Sequence, residues 1–313
     1  MISELSQRPV WTKMGRYLVS SELFLDAVFT ARCSCACPWC IARTKERPDE
    51  DRRAWEEAVQ DAFRLFPIRS VIILGGEATE DPAFFEKLEF LTQAMAGHSA
   101  EQLILTTNGI MLRDENFLHR VASSRIDAVN LSRMHDSQEI NDRIFGRPTP
   151  TRSEIQAMNR ELTARGKTLR LNVNVWRGNL DTVEDMERFA RAFAGCCDAI
   201  KFTPLMATDM FDTIEPVTEY TEAHAIPERE IAALWDAFAA RHGETERASR
   251  VLGFVDYASV SACGQRVILK YAQVEDKYDR SSVIPTLKVY PNGCLSNEWS
   301  FTKDIREGMR RNV

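Results

Sequence analysis

Short apolar runs alternate with helical stretches through the first two thirds of this 313-residue chain, and this rhythm limits the available folds most. The runs are Phe24–Thr30, Val71–Gly76, Leu103–Gly109, Asp127–Ser132, Leu169–Val175 and Ala199–Leu205. Each has the length of a strand, and Leu169–Val175 alternates apolar and polar residues cleanly. Between them, residues 51–66 repeat apolar positions every three or four residues, as a helix does. Residues 81–97 read as a helix with Asp81 as N-cap, Pro82 at the first helical position and Gly97 at the end. Residues 151–167 open with Thr151 or Ser153 in a capping-box pattern. The six units recur every 25 to 45 residues or so, roughly the scale of a βα unit. That predicts an α/β fold with a parallel sheet and helices outside it, either an open doubly wound sheet or an incomplete barrel.

After Leu205 the rhythm stops. Residues 206–227 read as a long irregular stretch, long enough to suggest a function of its own. One more helix follows, and residues 250–300 look β-rich, with Pro291-Asn292-Gly293 as a hairpin turn. The last dozen residues read as a polar tail, flexible or docking. The expected division is an N-terminal segment 1–21, a core 22–205 and a C-terminal α/β extension 206–313 that closes the pocket.

Composition narrows the function. With 44% hydrophobic and 27% charged residues, the chain has ample material for a core. A net charge of −6 provides no general positive field, so neither nucleic acid nor an anionic membrane is an expected partner. No run approaches the length of a membrane-spanning helix. The N-terminal residues have no continuous apolar stretch and no small-residue cleavage site, which places the chain in the cytoplasm. In that reducing compartment the eight cysteines are expected as metal ligands, catalytic groups or core fillers rather than disulfides.

Four of the eight crowd into TARCSCACPWCIA, directly after the first strand. Cys33, Cys37 and Cys40 have the spacing C-x3-C-x2-C. Three thiolates on one loop can hold three irons of a four-iron cluster and leave the fourth iron open to another ligand. Other readings compete: small buried hydrophobes, a zinc knuckle at Cys37-x2-Cys40 lacking a second pair, or a CPWC dithiol.

The three-cysteine loop, with aromatic Trp39 before the last Cys, resembles the radical SAM superfamily. Later strand ends carry the same resemblance in order. Gly75-Gly76-Glu77 closes the second strand and Thr107-Asn108-Gly109 the third, while Ser132 ends the fourth and Asn172 and Asn174 lie on the fifth. Singly, each has a plainer reading: a strand-ending turn, a solvated charge, an ordinary turn pair. The resemblance covers about residues 22–205 and implies a partial (β/α)6 TIM-like barrel. It implies that Cys33, Cys37 and Cys40 hold a [4Fe–4S] cluster. The open iron would bind S-adenosylmethionine (SAM), with Gly75 and Gly76 toward its amino group and Ser132 and Asn174 toward its ribose. Glu77, Thr107, Asn108, Asn172 and Trp39 complete the implied cofactor site. Reductive cleavage of SAM would then give a 5′-deoxyadenosyl radical that takes hydrogen from substrate, with an electron donor such as flavodoxin or ferredoxin as partner. Cys35, inside the motif, departs from the pattern. It reads either as an alternative ligand or as a small residue at a variable site.

For the substrate, Arg133 and His135 just beyond the fourth strand and Lys201 in the sixth are candidate catalytic residues. Arg133 and Lys201 suit a clamp on carboxylate or phosphate, or else strand-end salt bridges, and His135 suits a structural or solvent-facing place, or else proton transfer. Only Cys263 and Cys294 follow residue 205, too few to ligate a typical further cluster. A small-molecule substrate is therefore expected, with peptide or amino-acid modification, or a non-catalytic iron–sulfur or zinc protein, as the alternatives. Residues 33–44, the NLSR segment, Asn141 and Phe145-Gly146 are similar to a subgroup that includes the cytosylglucuronate decarboxylase of nucleoside-antibiotic biosynthesis. That similarity implies decarboxylation or dehydrogenation of a sugar or nucleoside acid.

Overall fold

Alternation along the strands decides which face of the sheet meets the helices. The computed structural model describes residues 11–14, 17–205, 212–242, 246–251, 254–272 and 283–310. Its first half runs β1 (Trp11–Met14), β2 (Tyr17–Val28), α1 (Arg52–Leu65), β3 (Ile68–Leu74), α2 (Phe84–Met95), β4 (Gln102–Thr107), α3 (Glu115–Ser123), β5 (Ala128–Ser132) and α4 (Gln138–Phe145). Next come α5 (Arg152–Thr163), β6 (Thr168–Val175), α6 (Val183–Ala192), β7 (Ala199–Pro204), α7 (Glu215–His224) and α8 (Glu228–His242). The chain closes with β8 (Glu246–Val251), β9 (Phe254–Val260), β10 (Arg266–Ala272), β11 (Val283–Val289), β12 (Leu295–Ser296) and α9 (Ile305–Arg310).

Val71 and Ile73, Leu103 and Leu105, Val129 and Leu131, Leu169 and Leu171, and Ile200 and Phe202 all join one core with residues of α1, α2, α3, α5, α6 and α8. The residues between them form the other face, which is half-buried and polar at Thr106, Ser132, Asn172, Asn174 and Thr203. A doubly wound sheet would bury both faces under helices. Helices on one side only, with a polar opposite face, make this an incomplete barrel whose lumen is the polar face.

Strands β2 to β7 pair in sequence order, all parallel, as the six units predict. The C-terminal residues do more than cap this core. β10 joins β7 and β11 joins β2, both parallel, so the extension lengthens the same sheet at both edges. β12 lies antiparallel outside β11, and β9 and β8 outside β10. Among the described residues the two ends of the sheet are not hydrogen-bonded to each other.

Several boundaries depart from the sequence reading. β2 starts at Tyr17, ahead of the expected boundary at residue 22, and residues 1–10 of that segment lie outside the described residues. Helix α2 starts at Phe84 with Ala83 at its cap, while the Asp81 carboxylate accepts from Ala83 N at 2.9 Å with one oxygen and pairs with buried Lys87 at 2.7 Å with the other. The stretch 206–227 is not wholly irregular: α7 occupies part of it, with Pro in its first turn and Val217 and Thr221 buried one turn apart. Residues 206–211 lie outside the described residues. The polar tail folds as α9, docked by buried Ile305 and by Arg306, which donates to Asp61 at 3.0 Å and to the Gly293 carbonyl at 2.6 Å. The capping box forms at Thr151 with Glu154. No helix among the described residues is long and apolar enough to cross a membrane.

Candidate active site

The strand ends converge on the cysteine loop, residues 31–43, and backbone hydrogen bonds hold it there. Gly76 N donates to the Thr30 carbonyl at 2.8 Å and Glu77 N to the Arg32 carbonyl at 2.7 Å. Gly75 takes φ +155, and a Cβ there would run into the Thr30 carbonyl oxygen. A Cβ on Gly76 would overlap the Arg32 carbonyl. Glycine is therefore required at both positions by the loop's own backbone, which passes too close for any side chain.

Glu77 is 3% exposed and ties two strand ends together. Its carboxylate accepts from Thr107 Oγ1 at 2.6 Å, Thr79 Oγ1 at 2.6 Å, Thr79 N at 3.2 Å and Asn108 N at 2.6 Å. Burial pushes this carboxyl up, and the four hydrogen bonds pull it back toward ionisation. Asn108 also donates from Nδ2 to Cys35 Sγ at 3.4 Å. The GGE and TNG turns thus support the loop from beneath, and Cys35 rests on the second of them.

A second support comes from the connection after β5. Arg133 is 2% exposed and its guanidinium donates to the carbonyls of His135 (2.8 Å) and Pro150 (2.9 Å) and to Gln138 Oε1 (3.0 Å). Burial lowers its pKa to about 10. The sequence reading offered Arg133 as a substrate clamp or a strand-end salt bridge; in the structure its donors bind the 133–150 connection. Asn141 Oδ1 accepts from Met134 N at 2.8 Å and His135 N at 3.1 Å. This knot holds α4 so that the Phe145 carbonyl, at the helix end, accepts from Ala36 N at 2.9 Å. Thr149, Gln138 and Asp142 belong to the same network and carried no sequence signal beyond their polarity. His135 Nδ1 accepts from Ser137 N at 2.9 Å, which fixes that nitrogen as unprotonated, and burial lowers the imidazole pKa.

Trp39 is buried against Trp176, with ring centres 4.5 Å apart, and close to Tyr220. With Met134, Phe145 and Leu205 they form an apolar patch beside the loop, which keeps water from its rear face. Ser132, Asn172 and Lys201 are register partners across β5, β6 and β7, so they stand side by side on the lumen face, with Asn174 one step further along. Asn172 Oδ1 is buried with no partner among the described residues. A group bearing a donor is needed there.

Cys33, Cys35 and Cys40 line a recess with Ala31, Arg43 and Arg47, and all four loop thiols are free and partly exposed. A hydrogen bond with Cys35 holds the Cys33 thiol below its ordinary range and Cys35 above it, and burial pushes Cys37 and Cys40 up. Among the described residues no three His, Cys, Asp or Glu side chains converge as a site for one ion. A cluster needs each thiolate only on its own iron, so three cysteines of one loop suffice for it, whereas a tetrahedral zinc site needs four ligands on one ion. The free thiols, the open recess and the orphaned Asn172 acceptor fit a cluster with a polar organic cofactor beside it.

The family profile of the Radical SAM superfamily matches residues 27–193, just over half of the chain. The chain is similar to the PqqA peptide cyclase of Ruegeria pomeroyi, 30% identical over 169 residues, covering 53% of this chain and 43% of that protein. It is also similar to the GTP 3′,8-cyclase of Parasynechococcus marenigrum, 31% identical over 132 residues, covering 39% of this chain and 36% of that protein. It spans less than half the length of these curated relatives. Among solved structures, Streptococcus suis SuiB bound to S-adenosylmethionine aligns with a TM-score of 0.59 and 15% identity, covering 94% of this chain and 66% of that one. The chain belongs to the radical SAM superfamily, and it is an enzyme whose cofactors are a [4Fe–4S] cluster and SAM.

Proposed function

We propose that this enzyme acts on a small, hydroxyl-bearing substrate, a sugar, nucleoside or related acid, by decarboxylation or dehydrogenation. One observation carries this reading: beyond the side chains assigned to the cofactor, the lumen face carries further short polar groups, Thr106 and Thr203, with Lys201 beside them. The C-terminal residues add to the argument, since Cys263 is exposed beside β10 and Cys294 is buried beside β12, at opposite ends of the sheet. Two separated thiols suit no further cluster.

In this reading Cys33, Cys37 and Cys40 hold the cluster, and Cys35 serves as a small residue resting on Asn108. Gly75, Gly76, Glu77, Thr107 and Asn108 form the shelf on which the cofactor rests. Ser132, Asn172 and Asn174 offer polar contacts from the lumen wall, and Trp39 seals the rear. When bound and reduced, the cluster and SAM together supply a primary carbon radical that removes a substrate hydrogen atom. Lys201, on the lumen face, is the candidate cation for a substrate carboxylate or phosphate. Arg133 holds the connection that carries Met134 and Phe145, and His135 stays neutral within it. The electron comes from a cytoplasmic one-electron donor such as flavodoxin or ferredoxin.

The test is to measure whether carboxylated sugars and nucleosides raise 5′-deoxyadenosine formation by the anaerobic holoenzyme. A saturable rise supports the reading, and a rise only with peptides refutes it. Peptide modification is the second reading, and the observation favouring it is the 30% identity to a peptide cyclase.

A further inference from the structure

Two ionisable side chains of opposite sign stand on the lumen face without an ion pair between them. Asp26 of β2 is 6% exposed and Lys288 of β11 is 2% exposed. They are register partners across the parallel β2–β11 pairing, so both leave the sheet on the same side. That side is the lumen, because the flanking Leu25, Ala27, Leu287 and Val289 all belong to the core under the helices.

They nevertheless form no ion pair. Among the described residues no donor reaches the Asp26 carboxylate, which feels Lys288 and, more weakly, Lys270 only through space. Burial pushes this carboxyl up and the Lys288 ammonium down. Lys288 Nζ donates to Thr286 Oγ1 at 2.8 Å and lies 4.7 Å from the ring centre of Trp299. An ammonium carries three N–H donors, so donor capacity remains. Lys270 belongs to β10, beyond β7 on the far side of the core.

An acceptor and a donor that share one face of the sheet without pairing call for a group that is both. A hydroxyl meets this need: it donates its O–H to the carboxylate and accepts from the ammonium. An apolar group does neither, and an anion meets only the lysine. We infer that Asp26 and Lys288 form a hydroxyl-binding subsite that selects polyhydroxylated substrates. The inference rests on the small-molecule reading given above.

The test uses methyl β-D-glucuronide as probe and adipate as an acid without hydroxyls. Calorimetry follows their binding to the anaerobic holoenzyme with SAM present. The wild type is expected to bind the glucuronide and not adipate. Asp26→Leu or Lys288→Met weakens glucuronide binding by about ten- to a hundred-fold, as loss of a hydrogen bond to a charged group does. The double variant, which removes both buried charges together and so guards against misfolding of either single one, loses no more than the worse single variant, because one hydroxyl spans both groups. Iron content and SAM binding serve as checks that each variant is intact. Equal glucuronide binding by the wild type and an intact double variant would overturn the subsite alone. No glucuronide binding by the wild type would overturn the small-molecule reading and the subsite with it.

Discussion

Replacing Gly76 with alanine adds one methyl group at the place where the second strand end meets the cysteine loop. The new Cβ would overlap the Arg32 carbonyl and crowd the Ala31 backbone, and backbone atoms cannot rotate aside as a side-chain tip can. Relief requires the two segments to separate. That separation strains the Glu77 N–Arg32 O bond at 2.7 Å and the Gly76 N–Thr30 O bond at 2.8 Å. Overpacking costs about 1–3 kcal/mol, and each weakened hydrogen bond adds about 0.5–1.5 kcal/mol. The local cost is therefore about 2–6 kcal/mol, and it falls on the segment that carries Cys33. The assay is iron and sulfide per chain after anaerobic reconstitution, alongside thermal unfolding of the apoprotein. Gly166→Ala is the control: its φ is +70 but nothing lies within 4 Å of the added Cβ, so it pays only the left-handed backbone cost of about 1–2 kcal/mol. Gly76→Ala should lose most of its cluster while Gly166→Ala keeps it. Full cluster occupancy and unchanged unfolding in Gly76→Ala would refute the argument that the glycine pair sets the loop.

Single replacement of Cys33, Cys37 or Cys40 by alanine should cut bound iron sharply, while Cys35→Ala keeps it, as iron and sulfide analysis would reveal; the reverse result for Cys33 and Cys35 overturns the ligand assignment. Arg133→Met removes the donors to the His135 and Pro150 carbonyls, leaves buried acceptors unpaired at about 1–3 kcal/mol each, and should speed amide exchange across residues 134–150. Burial works to raise the Asp61 carboxyl, but hydrogen bonds from Arg64 and Arg306 hold it below its ordinary range. Because the folded value is the lower one, the anchorage it gives α9 is present above the unfolded carboxylate value of about 3.9 and lost as the pH falls through the folded value. Proteolysis of the C-terminal residues should therefore be pH-independent near neutrality and rise only in strong acid, whereas Arg306→Ala should be cut readily throughout.

The strands and the turns that support the cysteine loop were legible because each depends on local chemistry. Alternating Leu169–Val175, the glycine pair at 75–76 and the Asn108-Gly109 turn declare themselves within a few residues. Asp81 accepts from Ala83 N at 2.9 Å as a cap does, yet the helix proper starts only at Phe84, and nothing in the sequence shows that its second oxygen binds Lys87. The surroundings of Arg133 were not legible: a cation after a strand reads as a ligand clamp or a salt bridge, and the sequence does not show that the carbonyls of residues 135 and 150 accept from it. The two added parallel strands were hidden because pairing of β11 with β2 joins residues far apart in sequence, and no local pattern encodes it. The same pairing hid the Asp26–Lys288 juxtaposition, since neither residue has a motif around it.

The most direct test of the whole account is reductive cleavage of SAM. Protein reconstituted anaerobically with iron and sulfide is given dithionite and SAM, with carboxylated sugars and nucleosides present, and the products are separated by chromatography. The account predicts 5′-deoxyadenosine in the wild type and none in Cys37→Ala. An intact four-iron cluster that yields no 5′-deoxyadenosine with any of these substrates, or with peptides, would contradict it.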